Sequence, residues 1–174
     1  MRITRIGVLA ASAAVALVAL ARPLAAALDD AAIAGIFNAA NGWDISTGKL
    51  AAKKASRADV RAFGKQLARD HQGLLDQAHA LEKKLGVTVP ALPKDFALKQ
   101  DFDSTMKKLK SLKGPAFDSA FLEHEIAYHK AVINAVTAQL LPAIENPELK
   151  TFVEQSAPAF QAHLAQAEAL LAKK

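Results

Sequence analysis

The fold is decided by the stretch FDSAFLEHEIAYHKAV, which runs from Phe117 to Val132. Its apolar residues recur every three or four positions, a spacing that predicts one buried face of an α-helix. Glu125 and His129 lie four residues apart and therefore project from the same side of that helix. Polar groups beside a buried face lose hydration, so each of them needs a partner. The stretch predicts a core helix that carries a polar site.

Two further helices are predicted before this stretch. Asp29 or Asp30 is suited to cap the first, which runs to about Ala55. Ser56, followed three residues later by Asp59, resembles a capping box and predicts the start of the second helix. The second helix is expected to end at Gly86, because glycine readily adopts the left-handed conformation that closes a helix.

The remaining elements follow from proline positions. The third helix is expected to begin at Gly114–Pro115 and to stop before Pro142. Asn146, Pro147 and Glu148 together predict the start of the fourth. The segment 86–114 is a long crossover with a short helix of its own between Phe96 and Leu112. The sequence therefore predicts an all-α protein, a four-helix bundle with this crossover between helices two and three.

The composition supports this class and excludes several functions. The chain has 174 residues, with only eight glycines and seven prolines, which favours helix. It has no cysteine, so disulfides, thiolate metal sites and cysteine nucleophiles are excluded. There is no glycine-rich phosphate loop and no recognisable nucleophile motif, and no catalytic residue is assigned.

Residues 1–27 have the pattern of a signal peptide. Arg2 and Arg5 precede an apolar stretch from Ile6 to Ala21, and Ala25–Ala27 offers a cleavage site. The apolar stretch is shorter than the roughly 18 to 20 residues of a membrane-spanning helix, so cleavage is expected and no stable membrane span remains. The mature domain is then 28–174, located in the periplasm or cell envelope.

Cleavage also changes the charge of the protein. Three of the 22 basic residues precede the cleavage point, which leaves 19 basic residues against 17 acidic residues. Such a small positive excess gives no indication of a nucleic-acid partner. The sequence does not predict protein partners.

Each of the four predicted helices has an apolar face with a polar residue on it, and these polar residues lie at similar heights in the bundle. Asp44 and His71 lie 12 and 15 residues from Ser56, or about 18 and 22 Å at 1.5 Å per residue. His129 and His163 lie at about 20 and 24 Å from the other turn by the same rule. With Glu125 included, the five candidate metal-binding residues are Asp44, His71, Glu125, His129 and His163.

Two arrangements would compensate for the burial of these groups. They either bind one transition-metal ion, with zinc, copper or iron suited to imidazole and carboxylate ligands, or form hydrogen bonds with one another. The first arrangement indicates a non-catalytic protein of metal handling or envelope stress. The second indicates a structural or interaction protein with a polar core layer. A metallo-oxidase or hydrolase ranks third, since it needs an open coordination position and a path for solvent.

Four segments carry a resemblance to a known family. In order, DISTGKLAAKKA, FGKQLARDH, FDSAFLEHEIAYHKAV and SAPAFQAHL resemble the bacterial family called domain of unknown function 4142. The similarity extends over roughly Ala31 to Leu171. The resemblance implies an exported protein with a ferritin-like fold, sometimes described as an outer-membrane protein. The fold by itself implies no ferritin activity.

The sequence departs from the family pattern at two acidic positions. Asp44 stands where the family usually has Glu, and Tyr128 stands where an Asp usually precedes the histidine, here His129. Loss of that acid removes a hydrogen-bond partner for His129 that Glu125 is placed to replace. The Glu-x-x-His pairs of di-iron bundles do not occur in the sequence, which favours a single ion over two.

Overall fold

The computed structural model describes residues 28–93 and 96–173, and helices are the regular secondary structure of that part of the chain. The all-α class is confirmed. The predicted signal peptide lies outside the described residues. None of the described helices is both long and apolar enough to cross a membrane. The elements are α1 (Asp30–Lys54), α2 (Ala58–Leu85), α3 (Ala97–Ser111), α4 (Gly114–Ala135), a π-helical segment (Val136–Leu140), the single turn α5 (Leu141–Ala143) and α6 (Pro147–Ala172).

Three of the predicted helix ends are confirmed in detail. The carboxylate of Asp29 accepts the N–H of Ala32 at 2.7 Å and caps α1. Asn146 caps α6 by accepting the N–H groups of the first turn. Gly86 ends α2 with φ of +67°, a conformation in which a side chain would be strained. These ends follow from local chemistry, which is why the sequence indicated them.

The predicted capping box at the start of α2 is wrong. Arg57 is the N-cap residue and its side chain makes no capping bond. Instead Asp118 of α4 accepts the N–H groups of Ser56 and Arg57 at 2.8 and 2.9 Å, and the Ser56 hydroxyl at 2.6 Å. Asp59 instead accepts two hydrogen bonds from the Arg57 guanidinium. A buried carboxylate from a distant helix therefore satisfies donors that the local sequence leaves open.

The predicted stop of the third helix before Pro142 is also wrong. The helical backbone continues from α4 through the π-helical segment to Ala143. In this segment the Leu141 N–H donates to the carbonyl of Val136, five residues earlier. Pro142 then lies in the first turn of α5, where the missing proline N–H is tolerated.

The four long helices α1, α2, α4 and α6 pack with each neighbour antiparallel. Short turns connect α1 to α2 and α5 to α6, and polar contacts along the helices give their directions. These contacts are Asn38–Glu82 between α1 and α2, Lys84–Glu148 and Lys173–Asp59 between α2 and α6, Tyr128–Ala40 and Asp118–Ser56 between α4 and the α1 end, and Lys130–Glu168 between α4 and α6. Because α2 and α4 are both antiparallel to the same two helices, they run in one direction. Between α2 and α4 in the chain lies α3.

The core has two apolar clusters. One contains Phe63, Phe117 and Phe121, and the other contains Ile33, Phe37 and Phe160. Along each of the four long helices, buried polar residues separate the part that enters one cluster from the part that enters the other. This polar layer consists of Asn41, Asp44, Thr47, His71, Glu125, His129 and His163.

Helices α1 and α2 make their closest approach at Gly48 and Gly64. A Cβ atom on Gly48 would lie 2.7 Å from the carbonyl oxygen of Gly64, which is closer than real contacts allow. The absence of a side chain at Gly48 therefore permits this close packing. At Gly42, by contrast, an added Cβ would meet no described atom within 4 Å.

We predict opposite effects for two alanine substitutions in α1. Gly48→Ala should lower the free energy of unfolding by about 1–3 kcal/mol, because two backbones would have to separate. Gly42→Ala should raise it by about 1 kcal/mol through helix propensity alone. Urea denaturation followed by circular dichroism measures both. A Gly48→Ala protein as stable as the wild type would contradict the close contact.

Candidate metal centre

The structure brings the five predicted residues together in the polar layer. Each of them is at most 3 % exposed. One ring nitrogen from each of His71, His129 and His163 lies within 4.8 Å of the other two. Ligand atoms of Asp44, Glu125 and His129 form a second group of the same size. The two groups share His129, so all five residues surround one region of the core.

Each histidine of the layer has one nitrogen in a hydrogen bond with an acceptor. Nδ1 of His71 lies 2.8 Å from Oδ1 of Asn41, and Nδ1 of His129 lies 2.9 Å from the Glu125 carbonyl oxygen. Nε2 of His163 lies 3.2 Å from the Asp70 carboxylate. These acceptors carry no proton, so the bonded nitrogen of each ring is the N–H donor. The hydrogen bonds therefore fix the tautomer of all three imidazoles.

The other nitrogen of each ring carries the lone pair, and that of His71 lies 3.4 Å from Oδ2 of Asp44. Among the described residues, Nε2 of His71, Nε2 of His129 and Nδ1 of His163 are buried and have no hydrogen-bond partner. Metal-ligating histidines show this arrangement, in which an oxygen acceptor orients the ring and the opposite nitrogen faces the ion. The three rings lie close together, with centroids 5.0 to 5.7 Å apart.

Burial keeps these imidazoles neutral. Burial, with smaller contributions from neighbouring His129 and His163, lowers the pKa of His71 to about 2. Burial also lowers the pKa of His129 to about 4, against the opposing hydrogen bond to the Glu125 carbonyl. The pKa of His163 is lowered by burial as well, although Asp70 opposes the change. All three rings therefore offer lone pairs at neutral pH.

The two carboxyl groups of the layer are poorly compensated. In the described part of the chain, Oδ1 of Asp44 and both carboxyl oxygens of Glu125 have no hydrogen-bond partner. Burial raises the pKa of Glu125 to about 7. Burial, followed by the charge of Glu125, raises the pKa of Asp44 well above its usual value. A cation beside these groups would stabilise their charged forms.

Comparison with known proteins places the chain in a family. A family model described as Domain of unknown function (DUF4142) matches residues 16–170. The chain belongs to this family. Searches of curated proteins and of solved structures found no match. The matched range of this DUF4142 protein includes all five buried residues.

Sequence reasoning missed the partners that orient the histidines of this DUF4142 protein. Asn41 is held by its own amide, which donates to the Phe37 carbonyl at 2.8 Å and so turns its oxygen to His71. Asn41 precedes Asp44 by three residues, and this same-face spacing was an available signal. Asp70 flanks His71 in sequence but binds His163 on α6, a contact that no local pattern encodes.

The partner expected for His129 was only partly correct. Glu125 does supply the hydrogen-bond acceptor, but it does so with its backbone carbonyl, while its carboxylate lies 3.6 Å from the ring nitrogen. Tyr128 turns away and donates its hydroxyl to the Ala40 carbonyl at 3.0 Å. Two further histidines, His79 and His124, lie outside the layer, the first exposed and the second against Tyr128.

We predict that Glu125→Gln stabilises the metal-free DUF4142 protein at high pH. The pKa of Glu125 is about 7 in the folded protein against an ordinary 4.5. The negative charge of its buried carboxylate therefore destabilises the fold little below pH 4.5 and most above pH 7. Glutamine removes a cost of roughly 3 kcal/mol at pH 8, at about 1.4 kcal/mol per pKa unit. Urea unfolding at pH 4.5 and pH 8 should therefore show a gain only at pH 8.

The exposed acid Glu123 on the same helix gives the control for this effect. Glu123→Gln should change the free energy of unfolding little at either pH, because a solvated carboxylate loses no hydration on folding. Equal gains from both substitutions, or a gain by Glu125→Gln that does not grow with pH, would contradict the unfavourable burial of Glu125.

Proposed function

We propose that this protein binds one transition-metal ion inside a ferritin-like four-helix bundle and acts in metal handling or envelope stress. His71, His129 and His163 would supply three nitrogen ligands, and Asp44 or Glu125 would supply an oxygen ligand. The proposal includes no catalytic step.

One observation carries this proposal. One ring nitrogen from each of the three histidines lies within 4.8 Å of the other two. Each ring also has one buried nitrogen without a hydrogen-bond partner among the described residues. Hydrogen bonds within the layer could have satisfied these atoms if the layer served only to set helix register. A buried polar atom without a partner costs about 1–3 kcal/mol, and three such atoms in one layer of the core support the proposal of a bound ion.

The donor atoms indicate which ions fit. Neutral imidazole nitrogens with a carboxylate oxygen suit zinc, copper and iron, whereas calcium and magnesium prefer oxygen ligands alone. Three nitrogens and one oxygen complete a tetrahedral set, which is typical of zinc sites without an open position. The second carboxylate lies close enough to balance the charge of the ion. This closed donor set favours binding over catalysis.

Export belongs to the same proposal. Arg2 and Arg5, the apolar stretch that follows them and the alanines at 25–27 support a cleaved signal peptide. The mature domain would then meet metal ions in the periplasm or cell envelope. Mass spectrometry of the protein from fractionated cells tests this step. The envelope fraction is expected to contain a protein with the mass of the chain that starts at Leu28. A full-length cytoplasmic product would contradict export.

The test of metal binding compares the wild type with His129→Gln and with His79→Gln. Protein purified without an affinity tag should contain about one ion per chain by elemental analysis, because the site is single. Wild type and His79→Gln, which alters an exposed histidine, should both retain the ion. His129→Gln should lose it, because His129 belongs to both ligand groups.

A thermal measurement gives the second readout. At an ion concentration of 100 times the dissociation constant, binding adds about 2.7 kcal/mol to the folded state. For a protein of this size that raises the melting temperature by about 5 to 10 °C. If zinc, copper and iron all leave the melting temperature of the stripped wild type unchanged, the layer is a structural one and the metal proposal is wrong.

We predict that Asp70→Ala weakens metal binding by about 10–100-fold without touching the ion, because Asp70 orients the His163 ring. Asp76→Ala on the same helix is the matched control, since Asp76 is exposed and contacts only Gln72 among the described polar partners. Competition with a chromophoric chelator measures both affinities. Equal affinities for the two variants would show that Asp70 does not position a ligand.

A further inference from the structure

A cavity of about 90 Å³ lies beside the polar layer, between α1, α4 and the π-helical segment. We propose that it binds a small, uncharged, apolar molecule of benzene size or less. This inference goes beyond metal binding, because it is argued from the size and the lining of the cavity and not from the ligand set.

The wall of the cavity is almost entirely apolar. Phe37 of α1, Val132 of α4 and Phe160 of α6 contribute to it, together with Val136 and Leu140 of the π-helical segment. A water molecule needs two to four polar partners to remain in such a space, and the apolar side chains named above offer none. An apolar cavity of this kind stays dry or takes up an apolar ligand.

The inner end of the cavity is polar. Asp44 and His71 form part of its wall, and both are buried. Oδ1 of Asp44 and Nε2 of His71 have no hydrogen-bond partner in the described ranges. A molecule in the cavity would therefore touch two of the candidate metal ligands. Gln139 is exposed and lies at the outer end, where the cavity reaches the surface.

The backbone beside the cavity is unusual as well. Val136, Gln139 and Leu140 come from the π-helical segment, which interrupts the α-helical hydrogen bonding after Ala135. π-helical turns are rare and occur often at functional sites. Here the irregular turn supplies three of the lining residues.

The size of the cavity limits its ligand. Apolar cavities of about 150 Å³ are known to take up benzene or xenon. This cavity of about 90 Å³ is smaller but opens to the surface, so benzene is the upper limit for the size of its ligand. A charged molecule of the same size would lose its hydration without gaining an ion pair along the apolar wall. The class of ligand is therefore small and uncharged.

Benzene is the probe that tests this inference, with benzoate as its charged counterpart. In the metal-free full domain, benzene should shift the NMR methyl signals of Val132, Val136 and Leu140 in a saturable manner. Benzoate should leave these signals unchanged at the same concentrations. Ala131→Leu adds side-chain volume to the lining and should weaken benzene binding by about tenfold or more, which corresponds to 1.4 kcal/mol.

Ala127→Leu is the matched control, because Ala127 lies one turn earlier on α4 and is exposed. It should bind benzene as the wild type does. The inference would be overturned by benzene shifts that do not saturate, by Ala131→Leu binding benzene as tightly as the wild type, or by benzoate binding as tightly as benzene.

If Ala131→Leu does not fold, Val132→Thr is the second variant, because it keeps the shape of the wall and adds a hydroxyl group. Val132→Thr should bind benzene several-fold more weakly than the wild type, and an unchanged affinity for benzene would also overturn the inference.

Discussion

The structure depends on the burial of five ionisable side chains in one layer of its core. Three imidazoles and two carboxyl groups lie between two apolar clusters, and each of the five residues is at most 3 % exposed. Burial in this environment disfavours every charged form, so the histidines are neutral and the carboxyl groups hold their protons to higher pH. The polar layer therefore presents imidazole nitrogens and carboxyl oxygens with lone pairs, and the packing of the four helices determines their positions.

The helices are positioned with the accuracy that this layer requires. Gly48 and Gly64 let α1 and α2 approach until their backbones touch, which brings Asn41 within 2.8 Å of His71. Asp118 connects α4 to the turn between those helices by capping the start of α2. Together these contacts determine the height of α4, and with it the heights of Glu125 and His129, relative to the first two helices.

Each histidine ring is oriented by a different kind of acceptor. His71 uses a side-chain amide, His129 a backbone carbonyl of its own helix, and His163 a partly exposed carboxylate. The backbone carbonyl belongs to Glu125, so one residue both orients a ring and offers a carboxylate to the same region. This arrangement makes the layer asymmetric, with the carboxyl groups gathered between α1 and α4 and the apolar cavity on that same side.

The sequence by itself determined the helical class, the helix ends at Asp29, Gly86 and Asn146, and the common height of the five polar residues. Helix rise, side-chain period and capping are properties of short segments, so they can be read residue by residue. The tertiary structure alone decided the Asp118 cap, the pairing of Asp70 with His163, and the wall of the cavity. These contacts join residues about 60 to 120 positions apart, and local spacing does not encode which distant side chain arrives. The π-helical segment was likewise beyond prediction, because the proline that ordinarily ends a helix here begins its next turn.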